Sequence, residues 1–298
     1  MASPSLNTAL RKYDKLYWGV ATDDERLVDS MAIIAQHFGQ ITPENSMKWA
    51  AIHPLPDQYT FSTADNIVTL ALNNRMLIRG HCLLWHRLLP KWVERITDPA
   101  ELKLVIEEHI TTVMSRYNGK IYAWDIINEP FLDDGTLRSN HFFNVLGESY
   151  IAIAFHAAKE ADPHAKLYLN DYMTARAKIA GAAQHVKRWR DAGIPIDGIG
   201  VQGHVSRNES RRMCWTLRDL AAVVDEVAVT ELDIVGAEPD EYVEVVRACL
   251  AEPKCVGITS WGLRDCDSWR AKEGVRCLLF DEEGGMKEAC RAVLKELN

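Results

Sequence analysis

The sequence predicts an α/β protein with the closed architecture of a single (β/α)8 TIM barrel, residues 1–298 forming one domain. Three observations predict it. Helix-like and strand-like patterns alternate from end to end of the 298 residues, and repeated β-α-β units imply parallel strands joined by right-handed crossovers. The strand candidates are apolar at nearly every position, as strands covered on both faces must be. There are eight of them, and no Gly-x-Gly-x-x-Gly follows the first, which disfavours an open nucleotide-binding sheet.

In chain order, Leu6 to Tyr13 reads as a helix and Tyr17 to Val20 as the first strand. Asp24 to Phe38 is helical, with Asp23 or Asp24 as N-cap. The second strand is Gln40 to Thr42, followed by a helix from Asp65 to Asn73; the third is Met76 to Cys82, followed by the long amphipathic helix Pro99 to Tyr117. Ile121 to Ile127 is β-branched at Ile121, Ile126 and Ile127 and is stopped by Pro130, so it reads as the fourth strand. A helix from about Gly147 to Ala161 leads to the fifth strand, Ala165 to Asn170, and Ala177 to Ala192 is the next helix. The last three units pair Ile196–Gln202 with a short helix Leu217–Val224, Val227–Thr230 with Asp240–Leu250, and Val256–Trp261 with Lys287–Leu297.

Composition bounds the function. The chain is 47% hydrophobic and 26% charged, as ordinary globular domains are. A net charge of −8 argues against nucleic-acid or anionic-membrane partners. No apolar run has the length of a membrane-spanning helix. Met-Ala-Ser-Pro-Ser lacks a signal pattern, so the protein is intracellular or a signal has been removed; secretion is the expectation favoured by the resemblance below. Seven cysteines leave at least one unpaired. Cys249 and Cys255 are spaced to tie a helix end to the next strand, Cys266 and Cys277 form a second, weaker pair, and Cys82 reads as a buried thiol. Without a Cys-x-x-Cys, no metal or redox site is expected, and no cofactor is implied. Asn208-Glu-Ser210 is a glycosylation acceptor pattern in keeping with a secreted surface loop.

The chemistry gathers at the carboxyl ends of the strands, where barrel loops open. The fourth strand ends in Asn128-Glu129 and the seventh in Glu231, followed by Leu232-Asp233. Two strand-terminal glutamates facing one cleft are the minimum equipment for cleaving a glycosidic bond. Around them the other strand ends contribute Glu44, Asn45 and Lys48; His81, Trp85 and His86; Asn170, Asp171 and Tyr172; Gln202 and His204; and Trp261 with Trp269. Singly, each reads more readily as a helix cap or a surface-loop residue. Together, amides, carboxylates and tryptophans supply hydrogen bonds to hydroxyls and flat platforms for sugar C–H faces.

These segments resemble family 10 glycoside hydrolases, the barrel endo-β-1,4-xylanases, and most closely their fungal members. The similarity runs from Tyr17-Trp-Gly-Val-Ala-Thr22 to Cys277-Leu-Leu-Phe-Asp281 and is carried by Thr42-Pro-Glu-Asn-Ser-Met-Lys-Trp49, Arg79-Gly-His-Cys-Leu-Leu-Trp-His86, Trp124-Asp-Ile-Ile-Asn-Glu129, Leu169-Asn-Asp-Tyr172, Asp197-Gly-Ile-Gly-Val-Gln-Gly-His204, Thr230-Glu-Leu-Asp233 and Gly257-Ile-Thr-Ser-Trp-Gly262. The resemblance implies a retaining hydrolase in which Glu129 is the acid/base and Glu231 the nucleophile. It implies that His204, partnered by Asp233, supports the nucleophile. Asn128 would bind the sugar 2-hydroxyl, and Glu44, Asn45 and Lys48 the distal glycone sugar. His81, Trp85, Gln202, Trp261 and Trp269 would wall the sugar at the cleavage point, with Tyr172 an aglycone platform. Expected partners are therefore a β-linked oligo- or polysaccharide such as xylan, bound by a monomer.

The rim departs from the family pattern. Arg87-Leu88-Leu89-Pro90 stands where Ser-Gln-Leu-Pro is usual, which removes an amide that bonds the sugar two places from the cut and adds a cation. Met173 replaces the usual Asn, which would turn the aglycone side apolar, and the loop from Ser206 to Trp215 is unusually rich in arginine. Arg87, Leu88 and Met173 are therefore the expected specificity-altering positions. They admit an alternative substrate, a glycosylated saponin of the kind tomatinase-like members deglycosylate. A non-catalytic sugar-binding or inhibitor barrel is a further alternative, disfavoured because both glutamates are present.

Overall fold

The computed structural model describes residues 5–298, with backbone alone for residues 24–28. Among the described residues nine strands form one parallel sheet: β1 Tyr17–Thr22, β2 Gln40–Pro43, β3 Leu77–Trp85, β4 Ala123–Asn128, β5 Lys166–Asp171, β6 Gly198–Val201, β7 His204–Val205, β8 Glu226–Ile234 and β9 Cys255–Ser260. Neighbours pair in sequence order from β1 to β6; β9 pairs with both β1 and β8, and β6 pairs with β8, which closes the ring. Eight strands make the barrel, as expected. The ninth, β7, resumes strand six after a break and pairs with the far end of β8, His204 opposite Asp233.

Each barrel strand is followed by a helix that covers its outer face. The helices are Asp24–His37, Ser62–Asn73, Pro99–Arg116, Ser149–Ala161, Arg176–Asp191, Arg212–Ala221, Pro239–Ala251 and Glu288–Glu296. Pro99–Arg116 shows the local logic: Pro99 opens it, and the Asp98 carboxylate accepts from the Ala100 N–H at 3.0 Å. Its Leu102, Ile106, Ile110 and Val113 are wholly buried and recur at helical spacing. Strands β1, β2, β4 and β6 are buried at every position, as two-sided burial requires, polar Gln40, Thr42 and Asp125 included. Side chains must interdigitate closely inside the ring. Gly80 is glycine because a Cβ there would lie 2.1 Å from the Trp124 ring.

Four expectations need correction. The helix expected at 217–224 lies at Arg212–Ala221. Its buried stripe is Met213, Leu217 and Leu220, and the arginines that suggested a loop sit on its exposed side and approach, where Arg212 pairs with Glu209 at 2.6 Å. β3 and β8 run on to Trp85 and Ile234, so Trp85 and Asp233 are strand residues instead of loop residues and Glu231 lies within β8 instead of at its end. The short helix His141–Leu146, capped by Asn140 accepting from the Phe143 N–H at 2.9 Å, was not anticipated. Cys266 and Cys277 are not bonded: Cys266 is exposed, whereas Cys277 is buried with its Sγ 3.1 Å from Ser268 Oγ. Cys249 and Cys255 do form a disulfide, Cα atoms 5.3 Å apart, and Cys82 is a buried free thiol. Among the described residues no helix is long and apolar enough to cross a membrane.

Candidate active site

The carboxyl ends of β4 and β8 deliver the two glutamates by different means. Glu231 belongs to β8 itself, its N–H donating to the Gln202 carbonyl at 2.7 Å. Glu129 stands one residue beyond β4 with a φ of 56°, a left-handed conformation that costs a non-glycine residue about 1 kcal/mol or more. Surrounding groups hold it there. Its N–H donates to the Asn170 carbonyl at 2.8 Å, and its own carbonyl accepts from Arg138 Nε at 3.0 Å. Two residues on, the Phe131 N–H donates to Asp171 Oδ2 at 3.1 Å while the Phe131 carbonyl accepts from Arg138 Nη2 at 3.1 Å. Burial pushes the Asp171 carboxyl up to about 7 against the opposing pull of Lys178, whose ammonium lies 2.9 Å away in a fully buried pair.

Glu231 is gripped on both oxygens. Oε1 accepts from Asn170 Nδ2 at 2.7 Å and Oε2 meets His204 Nε2 at 3.1 Å. The other ring nitrogen, Nδ1, lies 2.9 Å from Asp233 Oδ2. With a carboxylate at each nitrogen, the ring carries both protons. Burial works against that charge, but Asp233 and Glu231 outweigh it and push His204 up to about 10. The cation in turn outweighs the burial of Glu231 and, aided by His81, keeps its carboxyl below the ordinary value. His204 reaches this place because Gly203, at φ 83°, kinks the chain between β6 and β7. Asp233, fully buried behind the histidine, also accepts from Trp269 Nε1 at 2.8 Å and lies 3.6 Å from the Arg270 guanidinium.

A chain of amides joins the two carboxylates. Gln202 Nε2 is 3.2 Å from Glu129 Oε1 and 3.3 Å from Asn128 Oδ1; Asn170 Nδ2 is 2.9 Å from Asn128 Oδ1 and donates onward to Glu231. The orientation follows from Glu231, whose ionised carboxylate can only accept, so the Asn170 atom 2.7 Å from its Oε1 is the amino nitrogen. That fixes Asn170 Nδ2 toward Asn128, so the Asn128 atom facing it is oxygen. The second oxygen of Glu129 faces His86 Nε2 at 4.0 Å, outside hydrogen-bond range. Burial, helped by Arg138 and Arg87 and opposed by Glu129, depresses His86 below the ordinary histidine value, which favours its neutral form at pH 7.

Both glutamates open into one cleft of about 570 Å³. Fifteen of the residues singled out from the sequence line it: Glu44, Asn45, Lys48, His81, Trp85, Arg87, Leu88, Asn128, Glu129, Tyr172, Gln202, His204, Glu231, Trp261 and Trp269. Lys48 donates to Asn45 Oδ1 at 3.0 Å and lies 4.9 Å from the centre of the Trp85 ring. His81 Nδ1 is 2.8 Å from Asp125 Oδ2, and its ring stands edge-on to Trp261. Asp233 does not reach the cleft. Nor does Met173, which is 7% exposed and lines a small adjoining pocket with Val205 and Met213; the apolar aglycone wall expected of it is not part of the cleft. The disulfide ties a helix end to the first residue of β9, whereas the cleft opens past the last residues of the strands.

Sequence reasoning missed several contributors. Asn170 was noted only as a polar strand end, yet it bridges both carboxylate networks. Arg138, in the loop after β4, carried no local signal. Arg79, paired with Asp125 and fully buried, looked like one more motif residue. Thr174, Ser206 and Arg270 also line the cleft. Among the described residues no cluster of three or more histidine, cysteine or acidic side chains could hold a metal ion.

Comparison with known proteins bears directly on this geometry. The family model described as glycosyl hydrolase family 10 matches residues 5–296. The chain belongs to that family. It is thus a glycoside hydrolase of a retaining family, as the motif resemblance implied. Endo-1,4-beta-xylanase 3 of Hypocrea jecorina is 46% identical over 299 residues, spanning 98% of this chain and 86% of the relative. Endo-1,4-beta-xylanase 2 of Claviceps purpurea is 45% identical over 295 residues, 97% of this chain and 90% of the relative. Among solved structures, xylanase 10B of Thermotoga petrophila in complex with xylobiose superposes with a TM-score of 0.92 at 33% identity, covering 100% of this chain and 98% of that one.

Proposed function

We propose that the protein is a retaining endo-β-1,4-xylanase that works by double displacement, with Glu129 as acid/base and Glu231 as nucleophile. The observation that supports this most is the pair of strand-end carboxylates facing one cleft in unlike surroundings. Glu231, held ionised by the His204 cation, attacks the anomeric carbon while Glu129 gives its proton to the departing oxygen. A glycosyl ester on Glu231 results, and the aglycone chain leaves. Glu129, now a carboxylate, takes a proton from an incoming water, and that water displaces Glu231 with the original configuration restored. Asn128, beside Glu129 in the cleft, is placed to hydrogen-bond the 2-hydroxyl as the ring flattens. Lys48 and Asn45 receive the distal sugar, and Trp85, Trp261 and Trp269 offer flat faces to the sugar at the cleavage point.

Xylan is the substrate best supported, since the relatives that span this chain bear xylanase names. The saponin alternative loses its main argument with Met173 packed inside. One chain supplies every group of this site, which fits a monomer. The Cys249–Cys255 disulfide fits an extracellular enzyme, as does an exposed Asn208. The test is direct. Xylo-oligosaccharides should yield the β-anomer as first product by proton NMR, and a 2-fluoro-glycoside inactivator should label Glu231; an α-anomer first, or a label elsewhere, would falsify the mechanism.

A further inference from the structure

We propose that Arg87 is a receptor for a carboxylate carried by the substrate, so that the enzyme favours xylan chains bearing acidic branches over unsubstituted ones. The inference rests on the xylanase reading and adds the substrate class. Arg87 follows β3, is exposed, and lines the active cleft on the wall that holds Lys48 and Trp85. Among the described residues it has no hydrogen-bond or ion-pair partner, and it is the cleft cation of which this is true. Lys48 is engaged by Asn45 and the Trp85 ring. Arg270 lies between Asp233 at 3.6 Å and Glu273 at 3.8 Å.

The backbone that carries Arg87 is anchored on both sides. Before it, the His86 ring packs edge-on to Trp85 with centroids 6.1 Å apart. After it, the Leu88 carbonyl accepts from the Ala50 N–H at 3.2 Å, Leu89 is 8% exposed, and Pro90 opens the short helix Lys91–Glu94. The guanidinium is thus presented by a fixed segment in a chain whose net charge is −8, where a solitary cation needs no compensation from the fold. A sugar hydroxyl offers the guanidinium a single acceptor oxygen and no opposite charge. A carboxylate accepts two parallel N–H bonds from a guanidinium, a geometry that an amide or a lysine does not reproduce. Leu88, 54% exposed at the same rim, gives the branching sugar an apolar edge to rest on.

The experiment compares kcat/KM on a uronic-acid-branched xylan with the same polymer after its carboxyl groups are reduced to alcohols. Wild type should prefer the acidic polymer by about tenfold, and 1 M NaCl should erase much of that preference. In Arg87→Gln the ratio should fall toward one, with Arg87→Lys between. The ratio is read, so any general loss of activity in the variants cancels. Equal turnover of both polymers by wild type, or an unchanged ratio in Arg87→Gln, overturns the proposal while leaving the xylanase reading standing on the reduced polymer. Failure of wild type to cleave either polymer overturns both.

Discussion

The ends of β8 and β4 carry the same side chain in opposite surroundings. At β8 the carboxylate sits in regular strand geometry, gripped by a cation and an amide, with a buried Asp233 behind the cation. At β4 it sits in a left-handed kink, touched by one neutral amide, with a neutral histidine 4.0 Å from its other oxygen. In the first the protein has invested in charge and in the second in position. That difference suits a group that must stay ionised and one that must take and give a proton, and variants on each side can break it.

Glu231→Ala should have the largest effect, on the order of a 10⁵-fold fall in kcat, on every substrate irrespective of leaving group. Glu129→Gln should cost on the order of 10³-fold on xylan, because an amide cannot protonate the departing chain. With an aryl xyloside whose phenol leaves unaided, the first step should survive, and stopped-flow should show a burst of phenol as the glycosyl-enzyme accumulates. Equal losses on both substrates, with no burst, would erase the functional distinction between the two ends.

His204→Asn tests the charged end alone. The expected loss is about 10- to 100-fold in kcat/KM, the worth of a hydrogen bond to a charged group. More telling is the pH profile. The His204 cation keeps Glu231 below its ordinary value, so its removal should move the acidic limb to higher pH. Stability has its own sign. His204 is raised to about 10 in the folded protein from about 6.5 unfolded, so its contribution is complete below about pH 6.5 and is lost as pH rises through about 10. The stability gap between wild type and variant, measured by urea denaturation, should therefore be widest near pH 6 and shrink toward pH 10. A gap independent of pH would mean that His204 merely packs.

How far the sequence carried this picture differs between the two ends as well. The barrel was legible because two-sided burial forces unbroken apolar strands, and Glu129, Glu231, His204 and Asp233 were legible because each lies within a few residues of a strand end. What supports Glu129 was not. Arg138 reaches it from a loop nine residues further on, and Lys178 reaches Asp171 from the next helix, contacts that only the closed ring creates. Met173 shows the converse error: its standing in place of the family's usual asparagine suggested an apolar cleft residue, but past the end of β5 the chain buries it against the core. The ninth strand was invisible because two residues carry no period, and its existence hangs on the positive φ of Gly203.

The smallest effect predicted, and the one that isolates position from charge, is that of Arg138. Its guanidinium holds the carbonyls of Glu129 and Phe131 and donates to the Tyr172 hydroxyl at 2.8 Å, so it stiffens the kink without touching the Glu129 carboxylate among the contacts described. Arg138→Ala should let the acid wander from the glycosidic oxygen, and misplacement of a catalytic group by a fraction of an ångström costs about tenfold or more. The loss should fall on kcat for xylan, where proton donation limits the step, and be much smaller for an activated aryl xyloside. Arg138→Lys should recover little, because one ammonium cannot span two carbonyls and a phenol. A parallel fall on both substrates would place the effect in sugar binding through Tyr172, and the kink at β4 would then owe its geometry to the Asp171–Phe131 hydrogen bond instead.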